Sequence, residues 1–265
     1  MTAIHLVTID LDGTLLDSSQ QVSARNLAAV ERLLDARVIV ALATARDRAS
    51  IAGRVPLARP GLYYIASGGA MVYEPAPRTI VWAETLPPAL AADAVSFLRR
   101  FNQPVFVNFD CDYWVDRGGN RVAMIERRYD LHARHFSPLE EVPLPVMRVS
   151  LSAPRRVLEQ AAREASAAFG DRASVSLASP DWLDLLAPGA GKGPALAWLQ
   201  SHASIGPDGT LAIGDYDSDL PLFAAAGYRV AMANSVEAIR AAATYHTASN
   251  DEDGVAMALE HFFPA

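Results

Sequence analysis

Continuous apolar runs alternate with amphipathic stretches in the first third of the chain. Runs at 4–9, 38–43 and 62–66 contain almost no polar residue, which is typical of parallel strands covered on both faces. Between the first two runs, apolar residues recur at helical spacing over Ser23–Asp35, so we predict a helix there. Strand–helix–strand order predicts an α/β fold with an open parallel sheet and right-handed crossovers.

The alternation changes after Pro87-Pro88, where short paired strands with interspersed helices predict a smaller α+β domain. Pro188-Gly189 marks the end of that segment, and the strand–helix alternation then returns. We therefore predict one α/β core formed by residues 1–86 and 188–265, interrupted by an inserted α+β domain at 87–187.

Composition narrows the class of protein. The chain has 265 residues, of which 51% are hydrophobic, enough for a large core or for two domains. A net charge of −7 disfavours nonspecific binding to nucleic acid or to anionic membranes. A single cysteine, Cys111, allows no internal disulfide, and no signal peptide or membrane-spanning run is recognised, so we expect a cytoplasmic protein.

Two carboxylates, Asp10 and Asp12, lie two residues apart where the first predicted strand ends. In a strand such residues face the same way, and two neighbouring anions repel unless a cation joins them. Gly13 then lets the backbone turn close to a ligand. This arrangement favours a Mg²⁺ site beside a reacting carboxylate.

Three further segments carry candidate chemistry. Thr44-Ala45-Arg46 follows the second strand and suits either a phosphate site or a plain helix N-cap at Thr44. Lys192, in the loop at 189–193, is the only lysine among 23 cationic side chains; a solvated lysine is the simpler reading of that loop alone. In the acidic segment 214–219, Asp215 and Asp219 are the better candidates for a cation site, and an acidic turn is the alternative.

These segments share a position in the predicted fold. Each follows a predicted parallel strand or lies where the inserted domain rejoins the core. Open α/β sheets bind ligands outside the carboxyl ends of their strands, so we expect the segments to converge on one site.

The segment Asp10-Leu11-Asp12-Gly13-Thr14-Leu15, together with Thr44, Lys192 and Gly214-Asp215, resembles the four motifs of the haloacid dehalogenase superfamily of phosphatases. The insertion between the second and third motifs resembles the Cof-like branch, which has a Rossmann-like core and a large α/β cap. Further similarities are Met232-Ala233-Asn234-Ser235 and the segment 249–255. The resemblance runs along the whole core, whereas the cap matches only in its order of elements.

The resemblance implies a Mg²⁺-dependent phosphomonoester hydrolase. Asp10 would be the nucleophile that forms an aspartyl-phosphate, and Asp12 the general acid and base. Mg²⁺ would be held by Asp10, the main-chain carbonyl of Asp12, and Asp215. The residues implied for binding phosphate are Leu11, Thr44, Ala45, Lys192 and Ser218, with Asp219 and Asn234 in support.

Two positions depart from the family pattern. The second motif usually reads T-G-R, and Ala45 replaces its glycine. The fourth usually reads G-D-x-x-N-D, and Ser218 replaces its asparagine. A serine is shorter than asparagine, so a water could take over part of that side chain's role.

The expected substrate is a small phosphorylated metabolite, a sugar phosphate or similar, bound by a monomer or homodimer. In the cap, Tyr113, Trp114, Asp116, Arg117 and Arg121 either face that substrate or form ordinary surface, and Trp82, Trp182 and Trp198 are predicted as core. A phosphomutase would use the same aspartyl-phosphate. A phosphate-binding protein without catalysis is a third reading, and a receiver domain a fourth, although receivers are much shorter and place the acceptor aspartate on a middle strand.

Overall fold

The computed structural model describes residues 3–129, 131–136 and 145–264, with fourteen strands and nine α-helices among them. The strands are β1 Leu6–Asp10, β2 Ile39–Ala43, β3 Leu62–Ala66, β4 Met71–Glu74, β5 Thr79–Ala83, β6 Val105–Phe109, β7 Asp112–Val115, β8 Ala133–His135, β9 Arg148–Ser152, β10 Ser174–Ser179, β11 Trp182–Leu186, β12 Thr210–Gly214, β13 Tyr228–Ala231 and β14 Tyr245–His246. The helices are α1 Ala24–Asp35, α2 Arg48–Arg54, α3 Pro88–Arg99, α4 Asn120–Tyr129, α5 Arg155–Phe169, α6 Lys192–Ala203, α7 Leu220–Ala224, α8 Glu237–Ala242 and α9 Gly254–Phe262.

An eight-stranded sheet in the order β14-β13-β12-β1-β2-β3-β4-β5 forms the centre of the core. Its six strands from β14 to β3 are parallel, whereas β4 and β5 add antiparallel at one edge. All residues of β1 and β12 are buried, because helices cover both faces of the sheet. The predicted α/β fold is confirmed.

The antiparallel hairpin β4–β5 was not predicted from the sequence. Its strand β4 is buried through Met71, Val72 and Tyr73, but it is only four residues long. Strand β5 is an exposed edge with no clear alternation of buried and exposed residues. Short strands of this kind give little periodic signal.

A second sheet, in the order β10-β11-β9-β6-β7-β8, is antiparallel except for the pair β7–β8. Helices α3 and α5 pack on one face through a buried cluster that includes Leu98, Val107, Leu151 and Leu158. All strands of this sheet lie within 105–186, inside the predicted insertion, whose boundaries at 87 and 187 stay a prediction. We call this second sheet with α3–α5 the cap. Among the described residues, no helix has both the length and the apolar character needed to cross a membrane.

Candidate active site

The carboxyl ends of three neighbouring parallel strands form the floor of the site. Asp10, the last residue of β1, pairs with Ala43 at the end of β2. On the other side, Ile9 pairs with Ile213 in β12, so Thr44 and Asp215 follow strands that end beside Asp10. The register of the parallel ladder therefore brings together segments that are far apart in sequence.

Asp10 and Lys192 form a buried ion pair. The Lys192 Nζ lies 2.6 Å from Asp10 Oδ1 and 2.7 Å from Asp219 Oδ1. Burial raises the pKa of Asp10 well above its ordinary value, and the Asp219 charge adds to this, while Lys192 opposes it. For Lys192, burial alone would lower the pKa, but the two carboxylates raise it above its ordinary value. The ammonium therefore stays charged between two acids.

Close packing of two glycine loops positions Lys192 at the start of α6. The Gly191 N–H donates to the Gly69 carbonyl at 3.1 Å, and a Cβ added to Gly69 would lie 2.1 Å from the Gly191 carbonyl carbon. Gly69 also has a φ of +89° and Gly191 of +148°, values that favour glycine. A side chain at Gly69 would displace the backbone at Gly191 and Lys192, because its Cβ would also lie 2.4 Å from the Lys192 nitrogen.

Both carboxylate oxygens of Asp219 accept hydrogen bonds from other groups of the protein. Its Oδ1 accepts from Lys192, and its Oδ2 accepts the main-chain N–H groups of Asp215 at 3.1 Å and Tyr216 at 3.2 Å. A Cβ at Gly214 would lie 2.7 Å from Asp219 Oδ2, so glycine is required for this fold of the loop. Asp219 therefore contacts both Lys192 and the main chain of the Asp215 loop.

The Asp215 carboxylate lies close to that of Asp10. Its Oδ1 accepts from the Thr14 hydroxyl at 2.7 Å. Burial, followed by the charge of Asp219, raises the pKa of Asp215 to about 7. Carboxylate oxygens of Asp10, Asp215 and Asp219 lie within 4.8 Å of one another. Lys192 supplies one positive charge for these three acids, so a further cation would stabilise the cluster.

The donor set fits Mg²⁺, which prefers oxygen ligands and is held by one or two carboxylates. Among the described residues, side-chain hydrogen bonds are made by Oδ1 of Asp10 and of Asp215, which leaves Oδ2 of each for a cation. Asp219 is the poorer ligand, because three donors already use its two oxygens.

Asp12 lies beyond the end of β1, so the expectation that strand alternation would point it the same way as Asp10 does not apply. Its carboxylate is held by Arg46, with Nε 2.8 Å from Oδ2 and one terminal nitrogen 2.7 Å from Oδ1. Burial alone would lower the pKa of Arg46, but Asp12 raises it overall, so the guanidinium stays charged. Arg46 was noted in the second motif without a role.

Thr44, Ala45 and Ser218 line the cavity above Asp10. Thr44 Oγ1 accepts the Arg46 N–H at 3.1 Å. The alternative that Thr44 is a helix N-cap is wrong: α2 begins at Arg48, and its N-cap is Asp47. Helix α2 therefore starts at Arg48 and not directly after Thr44.

Leu11 and Asn234 do not line the cavity. The Leu11 side chain is in the core, so only its main chain can face a phosphate. Asn234 donates from Nδ2 to the Gly13 carbonyl at 2.8 Å and accepts the Asn250 N–H at 3.2 Å. Asn234 therefore links the turn after Asp12 to the segment at Asn250 by hydrogen bonds.

A cavity of about 290 Å³ lies between the floor and the cap. Of the cap residues singled out in sequence, Tyr113 lines it, whereas Trp114, Asp116, Arg117 and Arg121 do not. Trp182, predicted as core, also lines it and packs edge-on against Phe106 at 4.9 Å between ring centroids. The cap residues of the lining are Tyr113, Arg128, Tyr129, Leu131, Arg148, Ala178, Ser179, Pro180 and Trp182.

Most of these cap residues were missed because they carry no local motif. Trp182 and Ser179 flank a tight turn between β10 and β11, and Tyr129 ends α4. The other two predicted tryptophans, Trp82 and Trp198, are half-buried and stack on each other at 6.1 Å. Only the arrangement of the cap over the core distinguishes a cavity-facing aromatic residue from a core one.

The chain is similar to known proteins over most of its length. A curated relative, the 5-amino-6-(5-phospho-D-ribitylamino)uracil phosphatase YwtE of Bacillus subtilis (strain 168), is 25% identical over 96% of this chain and 96% of its own length. The Arabidopsis thaliana chloroplastic endoribonuclease YBEY is 27% identical over 96% of this chain, but this chain spans only 45% of it.

A solved haloacid dehalogenase-like hydrolase from B. subtilis superposes with a TM-score of 0.88 at 23% identity, covering 97% of this chain and 99% of that one. At that identity the likeness shows the fold. The family model for haloacid dehalogenase-like hydrolases (Hydrolase_3) matches residues 7–259, nearly the whole chain. The chain therefore belongs to the haloacid dehalogenase-like hydrolase family.

Proposed function

We propose that this hydrolase cleaves phosphate monoesters of small metabolites with Mg²⁺ as cofactor and an aspartyl-phosphate on Asp10 as intermediate. The observation that carries the proposal is the buried contact of Lys192 with Asp10 and Asp219, beside Asp215 at the strand ends. That set joins a nucleophilic carboxylate, a cation for phosphate oxygens and a metal ligand in one place.

Asp10, Asp215 and the main-chain carbonyl of Asp12 are the residues that would hold Mg²⁺. When bound, the ion neutralises negative charge on the phosphoryl group and on the two carboxylates. Lys192 acts in the same direction, because its charge lowers the pKa of Asp10 and so favours the nucleophilic anion.

In the first step, an Asp10 oxygen bonds to phosphorus as the bond from phosphorus to the ester oxygen breaks, and Asp12 gives that leaving oxygen its proton. In the second step, Asp12 takes a proton from water, the water oxygen bonds to phosphorus, and the bond from phosphorus to Asp10 breaks. Inorganic phosphate leaves and both aspartates return to their starting forms.

Lys192, the Thr44 hydroxyl and main-chain N–H groups near Leu11 and Ala45 would bind the phosphoryl oxygens, with Ser218 alongside. Fixed donors of this kind stabilise charge that builds up in the transition state. The cap excludes water from the cavity and selects the leaving group. A cavity of about 290 Å³ suits a small metabolite. The relative YwtE is named as a phosphatase of 5-amino-6-(5-phospho-D-ribitylamino)uracil.

The test is hydrolysis of 4-nitrophenyl phosphate and of a phosphometabolite panel, with Mg²⁺ and with EDTA. We expect Mg²⁺-dependent release of phosphate that falls at least about 10³-fold in Asp10→Asn, because the nucleophile is lost. Asp208→Asn, at an exposed turn far from the site, is the control and should keep full activity. Activity that survives in Asp10→Asn, or that EDTA leaves unchanged, would contradict the proposal.

A further inference from the structure

Arg46 holds both carboxylate oxygens of Asp12 in a planar, two-pronged contact of 2.8 and 2.7 Å. The Arg46 side chain is only 4% exposed, whereas that of Asp12 is 38% exposed. The arginine is therefore packed into the protein while the carboxylate it holds is open to the cavity. A two-pronged contact defines the plane of the carboxylate as well as its distance.

Arg46 is itself fixed by several segments. Its terminal nitrogens donate to Ser50 Oγ at 3.1 Å and to the Gln20 side-chain oxygen. Its main-chain N–H donates to Thr44 Oγ1, and its carbonyl accepts the Ser67 N–H at 2.7 Å. The guanidinium thus joins the turn after β1 to the start of α2, and the Arg46 main chain contacts the loop after β3.

The cap completes this arrangement. The Tyr129 ring lies over the Arg46 guanidinium, with its centroid 5.5 Å from Cζ. Tyr129 is the last residue of α4, so the contact exists only with the cap over the site. Such a cation–π contact favours one orientation of the guanidinium plane and shields the ion pair from water.

We propose that Arg46 is a positioning residue for Asp12. It holds the Asp12 carboxyl group through the unprotonated oxygen while the other oxygen gives its proton to the leaving oxygen, and through both oxygens once that proton has left. The inference rests on the proposed function, since it assigns Asp12 as the general acid. Misplacing a reacting group by about 1 Å can reduce a rate about 100-fold. A lysine provides the charge but not the planar fork, so it replaces this role only in part.

The role predicts a dependence on the leaving group. A weakly basic leaving oxygen departs without much help from an acid, whereas a strongly basic one needs its proton in the transition state. Loss of a positioned acid therefore slows esters of basic alcohols most. Loss of a merely structural arginine slows all esters by the same factor.

The experiment measures kcat for three esters of similar size, namely 4-nitrophenyl, phenyl and benzyl phosphate, in order of increasing basicity of the leaving oxygen. The full chain is used with saturating Mg²⁺. For Arg46→Met we expect kcat to fall about tenfold on the first ester and about 10³-fold on the last, within the range of general-acid contributions. For Arg46→Lys we expect kcat values between those of Arg46→Met and those of the wild type.

Arg48→Met is the matched control. Arg48 lies two residues further on and makes an equivalent two-pronged pair with Asp110, at 2.8 and 2.7 Å, away from Asp12. We expect it to change kcat for all three esters by one common factor. The double variant Asp12→Asn/Arg46→Met should be no slower on benzyl phosphate than Asp12→Asn alone, because both changes remove one function.

A uniform loss across the three esters in Arg46→Met, or a multiplicative loss in the double variant, would overturn the inference while leaving the proposed function in place. If Arg46→Met does not fold, the same comparison is made with Arg46→Lys, and a uniform loss there overturns it equally. A wild-type protein that hydrolyses neither these three esters nor any member of the phosphometabolite panel would instead overturn the proposed function, and the inference with it.

Discussion

A compact cation is what the site requires at position 192. The Lys192 ammonium lies between Asp10 and Asp219, at 2.6 and 2.7 Å from one oxygen of each. An arginine fork is planar and wider, and it would place its donors in a fixed pattern that two separate carboxylates do not match. This geometry gives a physical reason for a single lysine in a chain with 23 cationic side chains.

Gly13 is the residue whose replacement should reveal the metal site most directly. Its φ is +86°, and an added Cβ would lie 2.6 Å from Asp215 Oδ2. We expect Gly13→Ala to reduce stability by about 1–3 kcal/mol through backbone strain. We also expect it to weaken Mg²⁺ binding about 10- to 100-fold by displacing a ligand, as measured by titration calorimetry.

Gly53→Ala is the control for that measurement. Gly53 lies in α2, and an added Cβ would meet nothing within 4 Å. Alanine there should stabilise the protein by about 0.5–1 kcal/mol and leave Mg²⁺ binding unchanged. Equal Mg²⁺ affinities for the two alanine variants would show that Gly13 does not shape the metal site.

At the scale of elements, the start of α2 shows how local structure and the cap are linked. Asp47 Oδ1 accepts the N–H groups of Ala49 and Ser50, both at 2.9 Å, as an N-cap. Its Oδ2 accepts the Tyr113 hydroxyl of the cap at 3.0 Å. The Asp47 side chain thus caps α2 at the end of the loop that contains Arg46, and it also contacts β7 of the cap.

Asp47→Ala should therefore reduce stability more than the loss of an ordinary N-cap residue does. We expect the free energy of unfolding to fall by about 2 kcal/mol, because the N-cap of α2 is lost and the Tyr113 O–H loses its acceptor. Tyr113→Phe leaves the N-cap in place, removes the hydroxyl's contacts with Asp47 and, at 3.3 Å, with Arg148, and should reduce the free energy of unfolding by about 1 kcal/mol. Urea unfolding measures both, and a smaller loss in Asp47→Ala than in Tyr113→Phe would contradict this account of the capping.

Elements with a strong period were predictable, and those without one were not. The helix predicted at Ser23–Asp35 is observed at Ala24–Asp35, with Ser23 as its N-cap. Helix α2 begins later than predicted, because Asp47 rather than Thr44 caps it. The strands β4, β5 and β8 were missed, since four, five and three residues are too few to show alternation against the surrounding turns.

At the scale of the whole molecule, two arginine ion pairs connect the cap to the core among the described residues. Arg48 of α2 pairs with Asp110 of the β6–β7 turn. Arg155 of α5 donates to the Tyr216 hydroxyl and lies 3.8 Å from Asp217. Partly exposed pairs of this kind contribute at most about 1 kcal/mol each, so they can hold the cap closed without making closure permanent.

The double variant Arg48→Met/Arg155→Met should loosen the cap while leaving both sheets folded. We expect a radius of gyration above the roughly 18 Å of a compact chain of this length, and a higher KM, because the cavity loses one wall. Small-angle scattering and steady-state kinetics measure the two effects. Arg25→Met, which removes an exposed pair with Glu260 far from the cap, should change neither. An unchanged radius and KM in the double variant would show that other contacts hold the cap.

By itself, the sequence determined the α/β fold, the family, and the segments that meet at the site. Those features depend on local properties, namely burial, periodicity and motif spacing, which a single chain displays directly. The tertiary structure decided which side chains touch. Lys192 contacts Asp10 across 182 residues of sequence, Arg46 contacts Asp12 across 34, and Tyr113 contacts Asp47 across 66. Such contacts depend on strand register and on how the cap packs over the core, and neither is encoded in any one segment.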